Sequence, residues 1–219
     1  MGAGRHFAAL RHSSAILDLV PSESPRLRIL VAGASGVLGR STVPQLGEYE
    51  VVGLTRTESK RRLLEDLGAE AVVCDAYDRE ELFRVVRRAR PNVVVNFLTD
   101  LAAGSGEANT RIRREGAANL LAAAEAAGAV RLVVESVAFP LEGEAGRAVE
   151  ELECATRAFR GEALIVRFGR FWGPGTFHRD RPEPPAVQID RAGVEAARLL
   201  TAADPGTFVV TDERTARGR

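Results

Sequence analysis

The chain has 219 residues, 45% of them hydrophobic and 27% charged, which is enough apolar material for the core of one domain. Its 30 basic and 30 acidic residues cancel, and this balance argues against a protein that binds nucleic acid or an anionic membrane, because both classes carry a basic excess. Two cysteines, Cys74 and Cys154, and three scattered histidines predict no disulfide framework and no metal site, and they favour the reducing cytoplasm. The chain contains a single lysine, Lys60, and two tyrosines, Tyr49 and Tyr77.

Residues 1–25 end in a Ser/Pro-rich stretch and are predicted to be a flexible N-terminal extension. From residue 26 the apolar pattern becomes regular, and a single domain is predicted over residues 26–212, followed by a tail over 213–219. No apolar run in the sequence approaches the ~18 residues of a membrane span.

Short apolar runs and stretches of helical periodicity alternate along this domain. The first predicted strand, Arg26–Gly33, is an apolar run that ends in glycine, and apolar residues at helical spacing follow it. Asp78, with Glu81 three residues later, has the pattern of a capping box that opens a helix. The other predicted strands are 50–56, 69–75, 92–98, 131–135, 162–168 and 206–211, and the later helices are 78–90, 107–127, 146–159 and 191–201. This alternation predicts an α/β fold with a doubly wound parallel sheet.

A glycine-rich turn joins the first strand to the first helix. Gly33 permits the tight turn, Gly36 lets the backbone approach a pyrophosphate at the helix N-terminus, and Gly39 lets the helix pack closely on the strand. The strand–turn–helix context favours dinucleotide binding over a turn that merely packs tightly. The residues of this turn expected to bind the cofactor are Gly33, Ser35, Gly36, Val37, Leu38 and Gly39.

Three stretches of the sequence resemble the extended and atypical short-chain dehydrogenase/reductases, in particular the NAD-dependent epimerase/dehydratase group. These stretches are ILVAGASGVLGRSTVPQL, REGAANLLAAAEAAGAVRLVVESVAF and ALIVRFGRFWGPGT. The resemblance extends over residues 27–210 and implies a Rossmann fold that binds NAD or NADP. None of the three stretches specifies a substrate.

The end of the second strand indicates which dinucleotide is bound. A basic residue there accommodates the 2′-phosphate of NADP, whereas an acidic residue binds the ribose hydroxyls of NAD. Arg56 occupies this position, and its forked guanidinium suits a phosphate, so NADP is favoured; a solvated surface arginine is the alternative. The resemblance adds five cofactor-binding residues, which are Asp75 and Ala76 beside the adenine and Phe97, Leu98 and Thr99 near the ribose. Asp75 could equally be a helix cap or a turn residue.

The usual catalytic pair of the family is missing from this sequence. Family members place a tyrosine, as general acid or base, and a lysine four residues later at the helix after the fifth strand. Here the tyrosine position falls on Gly143 or Ala145, and the lysine position falls on Arg147 or Val149. The family's usual route of proton transfer is therefore not expected.

Two residues at the end of the predicted fifth strand are the remaining catalytic candidates. Ser136 lies close to the position of the family serine, although it is equally suited to hydrogen-bond the cofactor or the backbone. Glu135 lies where ligands bind in such sheets, and apolar surroundings would raise its pKa; a solvent-facing carboxylate is the alternative. The basic cluster Arg111, Arg113 and Arg114 is predicted to be a solvated helix face.

The resemblance implies a small-molecule substrate and a homodimer, because members of the group commonly dimerise through the helices after strands four and five. Residues 173–211 are expected to form only a reduced substrate-side segment, since extended members carry a larger C-terminal domain. The predicted function is that of an NAD(P)-binding epimerase/dehydratase-like or oxidoreductase-like protein without the tyrosine–lysine pair. The alternative is a non-catalytic NADP-binding redox sensor or pathway accessory protein.

Overall fold

The computed structural model describes residues 26–100 and 106–218. The predicted N-terminal extension, residues 1–25, lies outside this range. The β-strands of the described residues are β1 (Arg28–Ala32), β2 (Glu50–Thr55), β3 (Glu70–Val73), β4 (Val93–Asn96), β5 (Arg131–Val137), β6 (Glu162–Phe168), β7 (Arg170–Trp172), β8 (Ala186–Gln188), β9 (Gly206–Val210) and β10 (Thr215–Arg217). The α-helices are α1 (Val37–Thr42), α2 (Arg61–Asp66), α3 (Arg79–Ala89), α4 (Gly106–Arg111), α5 (Ala117–Ala127), α6 (Gly143–Arg157) and α7 (Ile189–Ala202).

Eight strands form one sheet in the order β3-β2-β1-β4-β5-β6-β9-β10. All neighbours pair in parallel except β9 and β10, which pair antiparallel. The strand order reverses at β1, which lies between β2 and β4. In open α/β sheets, ligands bind beyond the carboxyl ends of the strands at such a reversal. The predicted doubly wound α/β fold is confirmed.

Both faces of the sheet are covered by helices, which explains why the strands are apolar on both sides. On one face, Val31, Val95 and Val133 pack in a cluster with residues of α1 and α7. On the other face, Leu30 and Val94 pack with residues of α3, α5 and α6. Alternate residues of one strand therefore face different helix layers, and this alternation decides where the side chains at the strand ends point.

The helices α1 and α7 approach each other very closely. The Ser41 hydroxyl at the end of α1 donates a hydrogen bond of 3.1 Å to the Ile189 carbonyl at the start of α7. A Cβ atom at position 193 would lie 2.3 Å from that hydroxyl oxygen, so only glycine permits this contact. At the other end of α7, the fully buried Arg131 side chain donates to the carbonyls of Leu200 and Ala203.

The structure corrects several boundaries. The predicted tail over 213–219 contains β10, because the chain turns tightly at Thr211, whose N–H donates to the Arg214 carbonyl at 2.8 Å, and returns along β9. The helix predicted over 107–127 is interrupted by a π-helical turn, Ile112–Gly116. The pattern missed α2 and the small parallel sheet of β7 and β8. The capping of α3 is as predicted, since Asp78 accepts a hydrogen bond of 3.0 Å from the Glu81 N–H.

Within residues 26–100 and 106–218, no helix is long and apolar enough to cross a bilayer. The same part of the chain contains no cluster of three or more histidine, cysteine or acidic residues that would hold a metal ion.

Candidate functional site

The glycine turn lies at the carboxyl end of β1, as the sequence predicts. Gly33 has φ of +83°, and a Cβ atom there would lie 2.3 Å from the Phe97 carbonyl oxygen. A Cβ atom at Gly39 would lie 2.5 Å from the carbonyl oxygens of both Gly33 and Ala34. Glycine is therefore required at both positions, first by the left-handed backbone and then by the close approach of helix and turn. This geometry leaves exposed backbone at Gly36 in front of α1, which is the position at which the sequence predicts that a pyrophosphate binds.

The other predicted cofactor-binding residues lie at the ends of the strands next to β1. Ser35 and Thr55 are joined by their hydroxyls at 3.2 Å, which ties the turn to the end of β2. Asp75 is exposed beyond β3 and accepts a hydrogen bond of 3.0 Å from the Tyr77 N–H. The remaining members of the predicted set are Val37 and Leu38 in α1, the buried Ala76 after β3, and Phe97, Leu98 and Thr99 after β4. The structure thus brings the predicted dinucleotide residues to one edge of the sheet.

Arg56, the predicted phosphate-binding residue, forms an ion pair with a carboxylate of the protein itself. Each of its two terminal nitrogens donates one hydrogen bond of 2.9 Å to a different carboxylate oxygen of Asp100. The Asp100 side chain is only 9% exposed, whereas that of Arg56 is 53% exposed. The guanidinium hydrogen bond lowers the pKa of Asp100 below its usual range, so the carboxylate is ionised at neutral pH. Sequence reasoning missed Asp100, although an acidic residue directly after Phe97-Leu98-Thr99 was a usable signal.

The two catalytic candidates face opposite sides of the sheet. Ser136 is buried and donates a hydrogen bond of 2.7 Å to Glu153 of α6. Glu153 also accepts hydrogen bonds from Arg167 and Arg157. Burial alone would raise the pKa of Glu153, but the hydrogen bonds from Arg167, Ser136 and Arg157 outweigh it and hold the pKa at about 2. The Ser136 hydroxyl thus belongs to a buried ionic network, a contact that differs from both the catalytic role and the bond to cofactor or backbone that the sequence suggested.

Glu135 points to the face of the sheet that carries α1 and α7, as Val133 does two residues earlier. The last paired residues of β4 and β5 are Asn96 and Val134, so the next pair in this register would be Phe97 and Glu135. Within the described residues, its carboxyl group makes no hydrogen bond and no ion pair. Burial raises the pKa of Glu135 to about 7, and the nearby charge of Arg113 opposes this rise. Glu135 is therefore a carboxyl group whose pKa is shifted into the neutral range, at the carboxyl end of a central strand.

Arg113 is the neighbour that the sequence interpretation misplaced. It lies in the π-helical turn and is only 9% exposed, so it is not part of a solvated face. Its guanidinium has no hydrogen-bond or ion-pair partner among the described residues, and burial lowers its pKa while the charge of Glu135 raises it. Helical spacing contained a signal, because Arg113 lies four residues before the buried Ala117 and seven before the buried Leu120.

The remaining ionisable candidates have other contacts. Arg111 is exposed, pairs with Glu115 and lies 4.4 Å above the ring of Tyr77. Arg114 forms ion pairs with two glutamates of α6. These two arginines agree with the predicted solvated face. Burial raises the pKa of Cys74 to about 12, so its thiol stays protonated at neutral pH.

Comparison with known proteins agrees with this geometry. Residues 29–140 match the model of the NAD dependent epimerase/dehydratase family. A relative from Streptomyces sp, the 3-diazoavenalumate denitrifying reductase, is 37% identical over 180 residues, which cover 68% of this chain and 58% of that protein. The chain therefore spans less than two thirds of that relative's length.

Solved structures with the same fold include two enzymes in complex with NAD. The Bordetella bronchiseptica enzyme WbmG in complex with NAD has a TM-score of 0.69 at 18% identity, over 90% of this chain and 76% of that chain. The Thermus thermophilus UDP-glucose 4-epimerase complex with NAD has a TM-score of 0.70 at 17% identity, over 87% of this chain and 79% of that chain. At these identities the likeness concerns the fold alone.

Proposed function

The chain belongs to the NAD dependent epimerase/dehydratase family, and from this premise we propose that it is an NADP-dependent oxidoreductase acting on a small molecule. The glycine turn fits a dinucleotide, because Gly33 and Gly39 leave no room for a side chain and Gly36 is open in front of α1. Arg56 would contact the 2′-phosphate, and Asp75, Ala76, Phe97, Leu98 and Thr99 would line the adenosine. When bound, the nicotinamide ring supplies or accepts a hydride.

The pair of Glu135 and Arg113 supports turnover and is the observation that carries this proposal. Family members combine a protonatable tyrosine with a fixed positive charge from lysine. Here a carboxyl group with a pKa of about 7 neighbours a buried guanidinium that has no hydrogen-bond or ion-pair partner in the part of the chain that the structure describes. Glu135 can therefore give or take a proton near neutral pH, and Arg113 can hold a negatively charged or oxygen-bearing group of the substrate.

The Streptomyces relative suggests a class of substrate whose reduction does not require a tyrosine as proton donor. Its name describes a reductase that removes nitrogen from a diazo compound. When a diazonium group is replaced by hydrogen, one hydride forms the new C–H bond and N₂ leaves with the electrons of the C–N bond. This reaction consumes no proton, so it does not need the tyrosine–lysine pair. We therefore include small aromatic diazonium acids among the proposed substrates.

Isotope transfer tests this proposal directly. The protein is incubated with NADPH deuterated at C4 of the nicotinamide, in each stereochemical form, and with either a carbonyl compound or the diazonium salt of an aromatic carboxylic acid. We expect deuterium from one form only in the product, measured by mass spectrometry against a reaction without protein. Glu135→Gln should abolish turnover of a carbonyl substrate and preserve that of a diazonium substrate.

The alternative function makes the opposite prediction. Tight binding of NADP with no deuterium transfer to any substrate of the panel would refute the proposed oxidoreductase and favour the non-catalytic redox sensor. Absence of binding of either dinucleotide to the folded protein would refute both and favour an accessory role.

A further inference from the structure

The Arg56–Asp100 ion pair crosses the edge of the sheet at which the dinucleotide is proposed to bind. Arg56 directly follows β2 and Asp100 follows β4 by four residues, and these two strands flank β1. The pair therefore spans the carboxyl end of β1, where the glycine turn begins. Its bidentate geometry, with two hydrogen bonds of 2.9 Å, is the arrangement that a phosphate group would use.

The carboxylate is the fixed member of this pair. Asp100 is buried, and its N–H donates a hydrogen bond of 3.0 Å to the side-chain oxygen of Asn109. The Arg56 side chain is half exposed and reaches Asp100 from the other side of β1. An arriving anion thus meets a guanidinium whose two terminal nitrogens are already engaged, next to a carboxylate that cannot easily move away.

A second carboxylate strengthens this effect. The charge of Asp75 also raises the pKa of Arg56, after the larger contribution of Asp100. The guanidinium of Arg56 therefore pairs with one carboxylate and feels the charge of a second. A 2′-phosphate entering this site would be repelled by both carboxylates, whereas the ribose hydroxyls of NAD would not be.

We propose that Asp100 sets the choice between NADP and NAD, because its carboxylate occupies one bidentate pair of Arg56 donors and repels a 2′-phosphate that approaches the others. This inference rests on the proposed dinucleotide site. Asp100 acts as an internal competitor of the phosphate and keeps the preference for NADP small. Removing its charge makes the protein more selective for NADP, and NAD affinity hardly changes.

Calorimetric titration of the full chain with NADP and with NAD tests the inference without any turnover. We expect Asp100→Asn to raise the affinity for NADP about five- to tenfold and to change that for NAD by less than about twofold. Arg56→Ala should lower the affinity for NADP. When Asp100→Asn is added to Arg56→Ala, the increase in NADP affinity should be much smaller than in the wild-type background. Asp66→Asn is the matched control, because it removes another Arg–Asp pair, with Arg62, on the surface of α2.

The outcomes separate this inference from the proposed function. If Asp100→Asn and Asp100→Ser, both folded by circular dichroism, bind NADP more weakly or with an unchanged NADP/NAD ratio, the inference is overturned while the dinucleotide site stands. A lower NADP affinity would show that Asp100 instead orients Arg56 for the phosphate. If the wild-type protein binds neither dinucleotide, the proposed function fails and this inference fails with it.

Discussion

Replacing Glu135 by glutamine should stabilise the protein at alkaline pH. A carboxyl group whose pKa is higher in the folded than in the unfolded protein destabilises the fold once the unfolded chain can ionise it. For Glu135 this destabilisation begins near the ordinary pKa of 4.5 and is complete above the folded value of about 7. Glutamine has nearly the same shape and carries no charge, so it removes the effect.

The magnitude follows from the two pKa values. At about 1.4 kcal/mol for each pKa unit, the interval from 4.5 to about 7 corresponds to about 3 kcal/mol, and partial exposure of Glu135 makes this an upper bound. Glu135→Gln should therefore unfold at a higher urea concentration than wild type at pH 8 and at nearly the same concentration at pH 4.5. The exposed Glu125 of α5 offers a control, since Glu125→Gln should have little effect at either pH.

Urea unfolding followed by circular dichroism at a series of pH values measures this difference. The free energy of unfolding of wild type minus that of the variant is expected to fall between pH 4.5 and about pH 7 and to stay level above that. A flat curve would show that Glu135 titrates like an ordinary surface glutamate, and it would remove the physical basis for a proton donor at this position. The proposed role of Glu135 in turnover would then have to be abandoned.

Two further predictions concern the turn and the buried network. Gly39→Ala should abolish dinucleotide binding in calorimetry, because the added Cβ atom would lie 2.5 Å from two carbonyl oxygens. A Cβ atom at Gly47 would have no atom within 4 Å, so the control variant Gly47→Ala should bind as wild type does. Equal binding by both variants would contradict the steric argument. Glu153→Gln should lower the free energy of unfolding by about 2 kcal/mol at pH 7, because it weakens the hydrogen bonds from Arg167 and Ser136. The pKa of Glu153 is lowered to about 2, so its stabilisation is full above pH 4.5 and lost as the pH falls towards 2; a loss that is as large at pH 2 as at pH 7 would refute this ionic origin.

The sequence was sufficient for the features that depend on local pattern. The alternation of strands and helices and the spacing of glycines in the first turn follow from period and backbone sterics, so the sheet and the dinucleotide edge could be predicted. Ser136 and Glu135 could be named because a strand end is predictable, and Asp78 could be placed as a cap because capping acts over three residues.

What could not be predicted depends on contacts between distant segments. Arg56 and Asp100 lie 44 positions apart in the chain, and the sequence does not show whether a given arginine forms an ion pair in the folded protein. Arg113 lies in a π-helical turn, and although its spacing from Ala117 and Leu120 indicated a buried position, the sequence did not indicate that Glu135 would be its neighbour. β10 is only three residues long, and its pairing with β9 depends on the turn that precedes it.

The glycine contact between α1 and α7 has a mechanical consequence. Gly193 lies against Ser41, and Arg131 donates to two carbonyls at the far end of α7, so α7 is held to α1 at its start and to β5 at its end. A shift of α7 relative to the glycine turn would have to break these contacts. Variants with altered selectivity are therefore best sought among the side chains around Glu135 and in the connection between β7 and β8, and not in α7.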